Sequence, residues 1–286
     1  MVNYIHLPQF NRFIFSINLF GVPINATWYG LMYALGFLIG YLILVLWSKM
    51  KKISLTYDDI FDLIIYVFFG VILGGRLGYV LFYNLPYYLE NPSKIFAVWE
   101  GGMSFHGGLI GVIIAVWIYS LVKKFNLFDV LDVISILVPI GLGLGRIGNF
   151  INQELYGRAA YGVPWAMIFP TDPQKLPRHP SQLYEFFLEG ICLFTIMWLT
   201  KDKKLPVGIR SSIFGIGYAS FRIIAEFFRE PDPQIGYILG FITMGQILSL
   251  LLLLTAIGLL LLFKKLNIES KVFIYEIQTS SHRKVK

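Results

Sequence analysis

The apolar residues of this chain gather into long blocks broken by short polar ones. A helix that crosses the hydrocarbon core of a bilayer needs about 20 mostly apolar residues. The pattern offers seven such stretches, at 27–48, 59–82, 103–122, 130–147, 183–200, 213–228 and 241–263. It therefore predicts an all-α integral membrane fold with seven transmembrane helices. The connecting segments set the expected orientation. Lys49, Lys51 and Lys52, then Lys123 and Lys124, then Lys201, Lys203, Lys204 and Arg210, then Lys264 and Lys265, occupy alternate loops. Because Lys and Arg are retained on the cytoplasmic side, those loops are cytoplasmic, the N-terminus lies outside and the C-terminus inside.

Between the fourth and fifth stretches, 150–182 carries Gly157, Gly162, Pro164, Pro170, Pro173, Pro177 and Pro180, too many breakers for a helix. It reads as a small extracytoplasmic arm or head, with Tyr156, Tyr161, Trp165 and Phe169 suited to the headgroup zone. The first twenty-odd residues show broken alternation around Pro8, Asn11, Arg12 and Asn18 and lack a signal-peptide pattern. They are expected to rest on the membrane surface. Residues 1–266 are thus expected to form one membrane domain, and 267–286 a basic cytoplasmic tail.

Composition agrees: 56% of the 286 residues are hydrophobic and 14% charged, and the mean hydropathy is +0.66. A net charge of +7 would suit nucleic acid, but the basic residues sit in short runs between apolar stretches rather than on one module, so nucleic-acid binding is not expected. Cys192 has no partner for a disulfide or a zinc pair, and His6, His106, His179 and His282 are too scattered for a metal site, so no metal is expected.

Charge changes the picture at three positions. Of the 24 Lys and Arg residues, 15 fall on the predicted cytoplasmic side and 6 outside; the other three, Arg76, Arg146 and Arg222, lie within or at the edge of a predicted span. A central arginine costs about 2.5 to 3.5 kcal/mol to insert. An anionic partner is expected to meet these three.

Around Arg146 runs Gly145-Arg-Ile-Gly-Asn-Phe-Ile-Asn-Gln-Glu-Leu-Tyr-Gly157. Helical spacing puts Arg146, Asn149 and Gln153 on one face. A guanidinium matches a phosphate with two parallel hydrogen bonds, and amides can hold ester or glycerol oxygens. The plainer alternative is an Arg146–Glu154 ion pair closing a helix end. The glycines from Gly141 to Gly145 follow no strand and precede no Gly-Lys-Ser/Thr, so they read as close helix packing. Tyr218, Arg222 and Glu226, spaced by four, form a polar stripe on one helix face, with a self-satisfied ion pair as the structural alternative. His106, among small neighbours in Phe105-His-Gly-Gly108, is either a base or a packing residue. His179, heading Pro180-Ser-Gln-Leu-Tyr184, suits a structural or gating role. In the predicted topology Tyr29, His106 and His179 lie near outer helix starts and Arg76, Arg146 and Arg222 near outer ends. Residues from six helices thus share the outer half of the bilayer, which points to a site for an outer-leaflet anionic headgroup.

These segments resemble the prolipoprotein diacylglyceryl transferase family. The family's Gly-Arg-x-Gly/Ala-Asn-Phe-x-Asn-x-Glu-x-x-Gly motif is met from Gly145 to Gly157, and the segments at His106, at His179 and from Phe221-Arg222 to Glu226 are similar too. The resemblance runs from Tyr29 to about Gln246. It implies a bacterial plasma-membrane transferase that moves the diacylglyceryl group of phosphatidylglycerol to the lipobox cysteine of a preprolipoprotein, forming a thioether and releasing glycerol phosphate, the first step of lipoprotein maturation. It implies no cofactor and no obligate protein partner. By match to its motifs, Arg146 and Arg222 are essential, with Tyr29, His106, Asn149, Glu154, Gly157, Tyr218 and Glu226 in support. Arg76 joins the arginines expected to bind phosphatidylglycerol. His106, Glu154 and Glu226 remain as candidate bases for the thiol. A transporter of an anionic solute is the alternative of a different class, although the paired interrupted repeats usual in that class are not seen.

Overall fold

The computed structural model describes residues 4–19, 22–98, 101–231, 237–238 and 240–275. The side chains of residues 19, 22–24, 105 and 106 lie outside that description, so the imidazole of His106 does too. The chain is mostly helical. Among the described residues four helices are long and apolar enough to cross a membrane: α1 (Trp28–Lys49), α2 (Tyr57–Tyr83), α5 (Leu127–Ile151) and α9 (Met244–Leu266). α3 (Leu85–Glu90) and a 3-10 turn (Pro92–Phe96) follow α2, and α4 spans Phe105–Lys123. Its described part, Gly107–Lys123, is a shorter apolar helix. The fifth apolar stretch becomes α6 (Ser181–Glu185), a π-helical turn (Phe186–Cys192) and α7 (Leu193–Trp198), and the sixth becomes α8 (Ile209–Glu226).

The helix ends follow local chemistry. Thr56 and Asp59 form a reciprocal capping box at the start of α2, and Thr243 and Gln246 form another at the start of α9. α9 stops at Asn267 in the left-handed conformation, after Lys264 and Lys265 have met the negative end of the helix dipole. α5 runs through Pro139 to Ile151, longer at both ends than the 130–147 expected.

The chain divides into two compact units. One comprises Met1–Leu42, Leu131–Lys201 and Pro206–Ile268. Within it α8 packs along α9, with Gly215 facing Ala256. Gly36 meets Gly141, and Gly143 meets Gly190 of the π turn, so the Gly141–Gly145 run is used for close helix packing as its pattern predicts. The arm holds a small sheet in which β4 (Met167–Ile168) pairs with both β1 (Ile5–His6) and β5 (Pro177–Arg178). Arg178 ties it together, 2.8 Å from Asp172 and 3.1 Å from Glu230, over the ring of Tyr156. Burial alone would raise the pKa of Asp172, but the Arg178 hydrogen bond and two backbone N–H groups bring it below the ordinary carboxylate range. The N-terminal segment also contains a hairpin that alternation did not announce, β2 (Phe13–Leu19) with β3 (Val22–Thr27). Phe15, Ile17 and Leu19 alternate with Ser16 and Asn18, but Ile14 puts an apolar side chain on the polar face and breaks the two-residue period at the start of β2.

The other unit comprises Ile43–Val130, Asp202–Leu205 and Glu269–Lys286. α2 and α4 meet in it through glycines. Gly70, Gly74 and Gly78 of α2 face Gly107 and Gly111 of α4, and a Cβ on Gly111 would lie 2.7 Å from Gly74 Cα. Such small-residue faces let two backbones approach where lipid gives no hydrophobic drive. Gly111→Ala should therefore destabilise the protein by about 1 to 3 kcal/mol through overpacking, read as a lowered thermal midpoint in detergent. Part of the expected tail is folded here: Asp129 accepts from the backbone N–H groups of Lys271 at 2.7 Å and Val272 at 3.0 Å, and Phe273 bridges Ile53.

Candidate functional site

α8 brings its polar stripe to the interior as its spacing predicts: Tyr218, Arg222 and Glu226 are all buried. Arg222 Nη2 lies 2.9 Å from Glu226 Oε2. The second partner of Arg222 comes from α6, where Glu185 Oε2 lies 2.9 Å from Arg222 Nη1. The same oxygen is 2.6 Å from Nε of Arg146, on the last turns of α5. One carboxylate oxygen therefore sits between two guanidinium groups carried by different helices. Glu189, four residues further along, adds longer contacts: Oε2 is 3.4 Å from Arg146 Nη2, and Oε1 is 3.7 Å from Arg222 Nη1. The relative exposure of Glu185 and Glu189 is 1% and 0%, so water screens neither.

Glu226 is held from its far side as well. Thr243, the N-cap of α9, donates to its Oε1 at 3.0 Å, and Gly245 in the first turn leaves room, since a Cβ there would fall 2.7 Å from that oxygen. The carboxylate thus meets the positive end of a long helix. Arg229 reaches Glu226 Oε2 at 3.7 Å, and Arg158 donates to the carbonyl of Glu226.

Around Arg146 the sequence reading needs two corrections. The direct Arg146–Glu154 pair does not form: Arg146 Nη1 donates to Asn149 Oδ1 at 3.5 Å, and Asn149 Nδ2 donates to Glu154 Oε1 at 2.8 Å, so the amide stands between the two charges. Gln153 does not share the helix face, because α5 ends at Ile151 and Gln153 turns to positive φ, donating instead to the carbonyl of Pro8. Tyr29 packs on Gly148, two residues along α5 from Arg146, and its hydroxyl lies 3.1 Å from that of Tyr33.

Gly157 works by close approach. Its N–H donates to the carbonyl of His179 at 2.8 Å, and it bridges Arg229. A Cβ there would lie 2.7 Å from that carbonyl oxygen and 2.8 Å from His179 Cβ. Gly157→Ala should push the arm away from the end of α8, where Glu226 sits, and lower transfer activity about tenfold through loss of alignment, measured as kcat/KM on a lipidated-peptide assay. His179 contacts Tyr184 OH at 3.0 Å and lies edge-on to Phe228, and burial holds its imidazole below the ordinary pKa.

Arg76 belongs to the unit that contains α2. Its guanidinium donates to four backbone carbonyls, those of Ile95, Lys94, Gly101 and Gly102, and lies 5.2 Å from the centre of the Tyr88 ring. Positive φ at Gly101 and Gly102 turns those carbonyls toward it. Its charge is thus met by peptide dipoles, and those of Arg146 and Arg222 by carboxylates. The burial of these arginines does not by itself demand a bound anion, which corrects the inference drawn from insertion cost. Glu185 and Glu189 were missed in the sequence, although two carboxylates four residues apart inside an apolar stretch carry the same insertion penalty as the arginines.

Fold and site define a class: polytopic, mostly helical integral membrane proteins in which an arginine and carboxylate cluster is buried among the helices. The family model described as prolipoprotein diacylglyceryl transferase matches residues 15–262. The chain belongs to that family, as the Gly145–Gly157 resemblance implied. It is 52% identical over 244 residues to the phosphatidylglycerol–prolipoprotein diacylglyceryl transferase of Ectopseudomonas mendocina (strain ymp), covering 83% of this chain and 90% of the relative. It is 47% identical over 276 residues to the proteins of that name from Yersinia pestis (strain Pestoides F) and Yersinia pseudotuberculosis serotype O:1b (strain IP 31758), covering 89% of this chain and 94% of each relative.

Proposed function

We infer that this chain transfers the diacylglyceryl group of phosphatidylglycerol to the lipobox cysteine thiol of prolipoproteins, leaving a thioether and releasing glycerol phosphate. Membership of the family supports the reaction, and the convergence of Arg146 and Arg222 on one oxygen of Glu185 is the observation that carries the mechanism. Two guanidinium groups that can share one carboxylate oxygen can share one phosphate oxygen. Displacement at a glycerol carbon needs a leaving phosphate whose charge is neutralised as the bond breaks. A guanidinium about 4 Å from a phosphate contributes a Coulomb term of roughly 4 kcal/mol at an effective dielectric of 20, several times its value in water. On binding, the phosphate takes over N–H groups now turned to Glu185 and Glu189, and Asn149 and Tyr29 flank the glycerol. Glu226 holds Arg222 directly, and Glu154 holds Arg146 through Asn149.

The remaining crossings are α4, the 181–198 helix and α8, which complete seven, with α8 at 18 residues rising about 27 Å. The run of basic residues in alternate loops supports an outside N-terminus, a cytoplasmic C-terminus and a site in the outer leaflet of a bacterial plasma membrane.

Purified protein given phosphatidylglycerol and a lipobox peptide should yield a peptide heavier by one diacylglyceryl unit and an equal amount of glycerol phosphate. Phosphatidylglycerol binding without glycerol phosphate would leave only a lipid scaffold, and anionic solute flux in vesicles without peptide modification would leave a transporter.

A further inference from the structure

We propose that the buried Glu189 carboxylate takes up the proton of the substrate thiol during transfer, an inference that rests on the reaction given above. Three carboxylates enter the cluster and they are not held alike. Glu185 Oε2 lies at 2.6 and 2.9 Å from two guanidinium groups, and Glu226 is fixed by Arg222 at 2.9 Å and Thr243 at 3.0 Å. The nearest ion-pair contacts of Glu189 are 3.4 and 3.7 Å, the longest of the three, and its Oε1, like Oε2 of Glu185 and of Glu226, is buried without a hydrogen bond. The carboxylate whose ion pairs are longest gives up the least Coulomb attraction on taking a proton, and here that is Glu189. The groups that face it are Arg146 from α5, Arg222 and Tyr218 from α8, and Glu185 from α6. α7, Leu193–Trp198, brings no titratable side chain.

Charge conservation gives the proton its role. The sulfur–carbon bond forms while the bond between the glycerol carbon and the phosphate oxygen breaks, and that electron pair leaves with the phosphate. A phosphodiester monoanion becomes a phosphomonoester dianion, and the thiol loses its proton. If the proton goes to Glu189, the cluster loses one negative charge as the phosphate gains one, so the total inside the bilayer is unchanged. The two arginines released by neutral Glu189 are those that must grip the dianion. Export of the proton to water would instead leave an extra buried negative charge in the site.

The test uses the full-length protein in phosphatidylglycerol-containing nanodiscs, a lipobox peptide, and kcat measured from about pH 5 to about pH 10. Glu189→Gln should lower kcat at neutral pH by about 10²-fold or more, with the KM for phosphatidylglycerol within about twofold. Its remaining rate should climb with pH until the thiol ionises by itself near about 8.5. A peptide with selenocysteine at the acceptor position, ionised at neutral pH, should recover Glu189→Gln to within about tenfold of wild type. Glu189→Asp should keep the wild-type pH profile at reduced kcat, and it decides the matter should the Gln variant fold poorly. A loss that is equal at every pH and is not recovered by the selenol would overturn the proposal. Absence of product from the wild-type chain would instead overturn the reaction itself.

Discussion

The Arg222→Lys variant should lose about 10²- to 10³-fold in kcat/KM for diacylglyceryl transfer while remaining folded and inserted. The geometry explains why conserved charge does not suffice. Arg222 reaches Glu185 through Nη1 and Glu226 through Nη2, both at 2.9 Å, so one planar group spans carboxylates on two elements. An ammonium is a compact charge with a single nitrogen and can satisfy only one of them at that distance. The carboxylate left over would draw the lysine to one side, and the second donor for a departing phosphate would be gone. Because the formal charge is unchanged, the stability loss should be smaller than for removal of the arginine, and the deficit should fall in kcat rather than in lipid binding. The measurement is steady-state kinetics with phosphatidylglycerol titrated at saturating lipobox peptide. Wild-type kcat in this variant would mean that charge at position 222, not its forked shape, serves the reaction.

How much of this was legible beforehand depends on which residues break a pattern. Arg146 and Arg222 stand out because a charge in an apolar run violates the solvent it sits in, and the four-residue spacing of Tyr218, Arg222 and Glu226 gave their common face directly. Their partners Glu185 and Glu189 were legible by the same rule, since each is a charge within the apolar stretch 183–200, but the insertion cost was applied to the basic residues alone. Two carboxylates on one helix face repel unless a cation lies between them, so the buried acids and buried bases had to be counted together. The long helices α1, α2 and α9 follow from hydropathy alone. By contrast, where α5 stops is decided by the left-handed turn at Gln153 and its bond to Pro8, a contact across 145 residues that no local spacing encodes. The π turn likewise answers to a tertiary fact, the approach of Gly190 to Gly143, and it is this turn that carries Glu189 into the cluster. The β2–β3 hairpin escaped because Ile14 and Pro23 interrupt an alternation that is otherwise present in both strands.

Glu185→Ala should be the most destabilising single change at the site, at about 3 to 5 kcal/mol, and should abolish transfer with it. Its carboxylate is 1% exposed and is the only group that contacts both Arg146 and Arg222 below 3 Å among the described residues. Removing it leaves two buried guanidinium groups facing one another across the space it filled, with Glu189 too distant to neutralise both. Neither arginine can shed its proton, so the repulsion has to be relieved by moving α5 and α8 apart or by drawing in water. Glu185→Gln keeps the volume and an acceptor oxygen but not the charge, and should cost less. The two variants together separate packing from electrostatics by their thermal midpoints in detergent. Added phosphatidylglycerol supplies a sharper comparison. Its phosphate can occupy the gap in the Ala variant and offset part of the repulsion, so the lipid should raise the midpoint of Glu185→Ala more than that of the wild type, where it must first displace a carboxylate. Equal shifts in both proteins would mean that the lipid phosphate does not enter between these arginines.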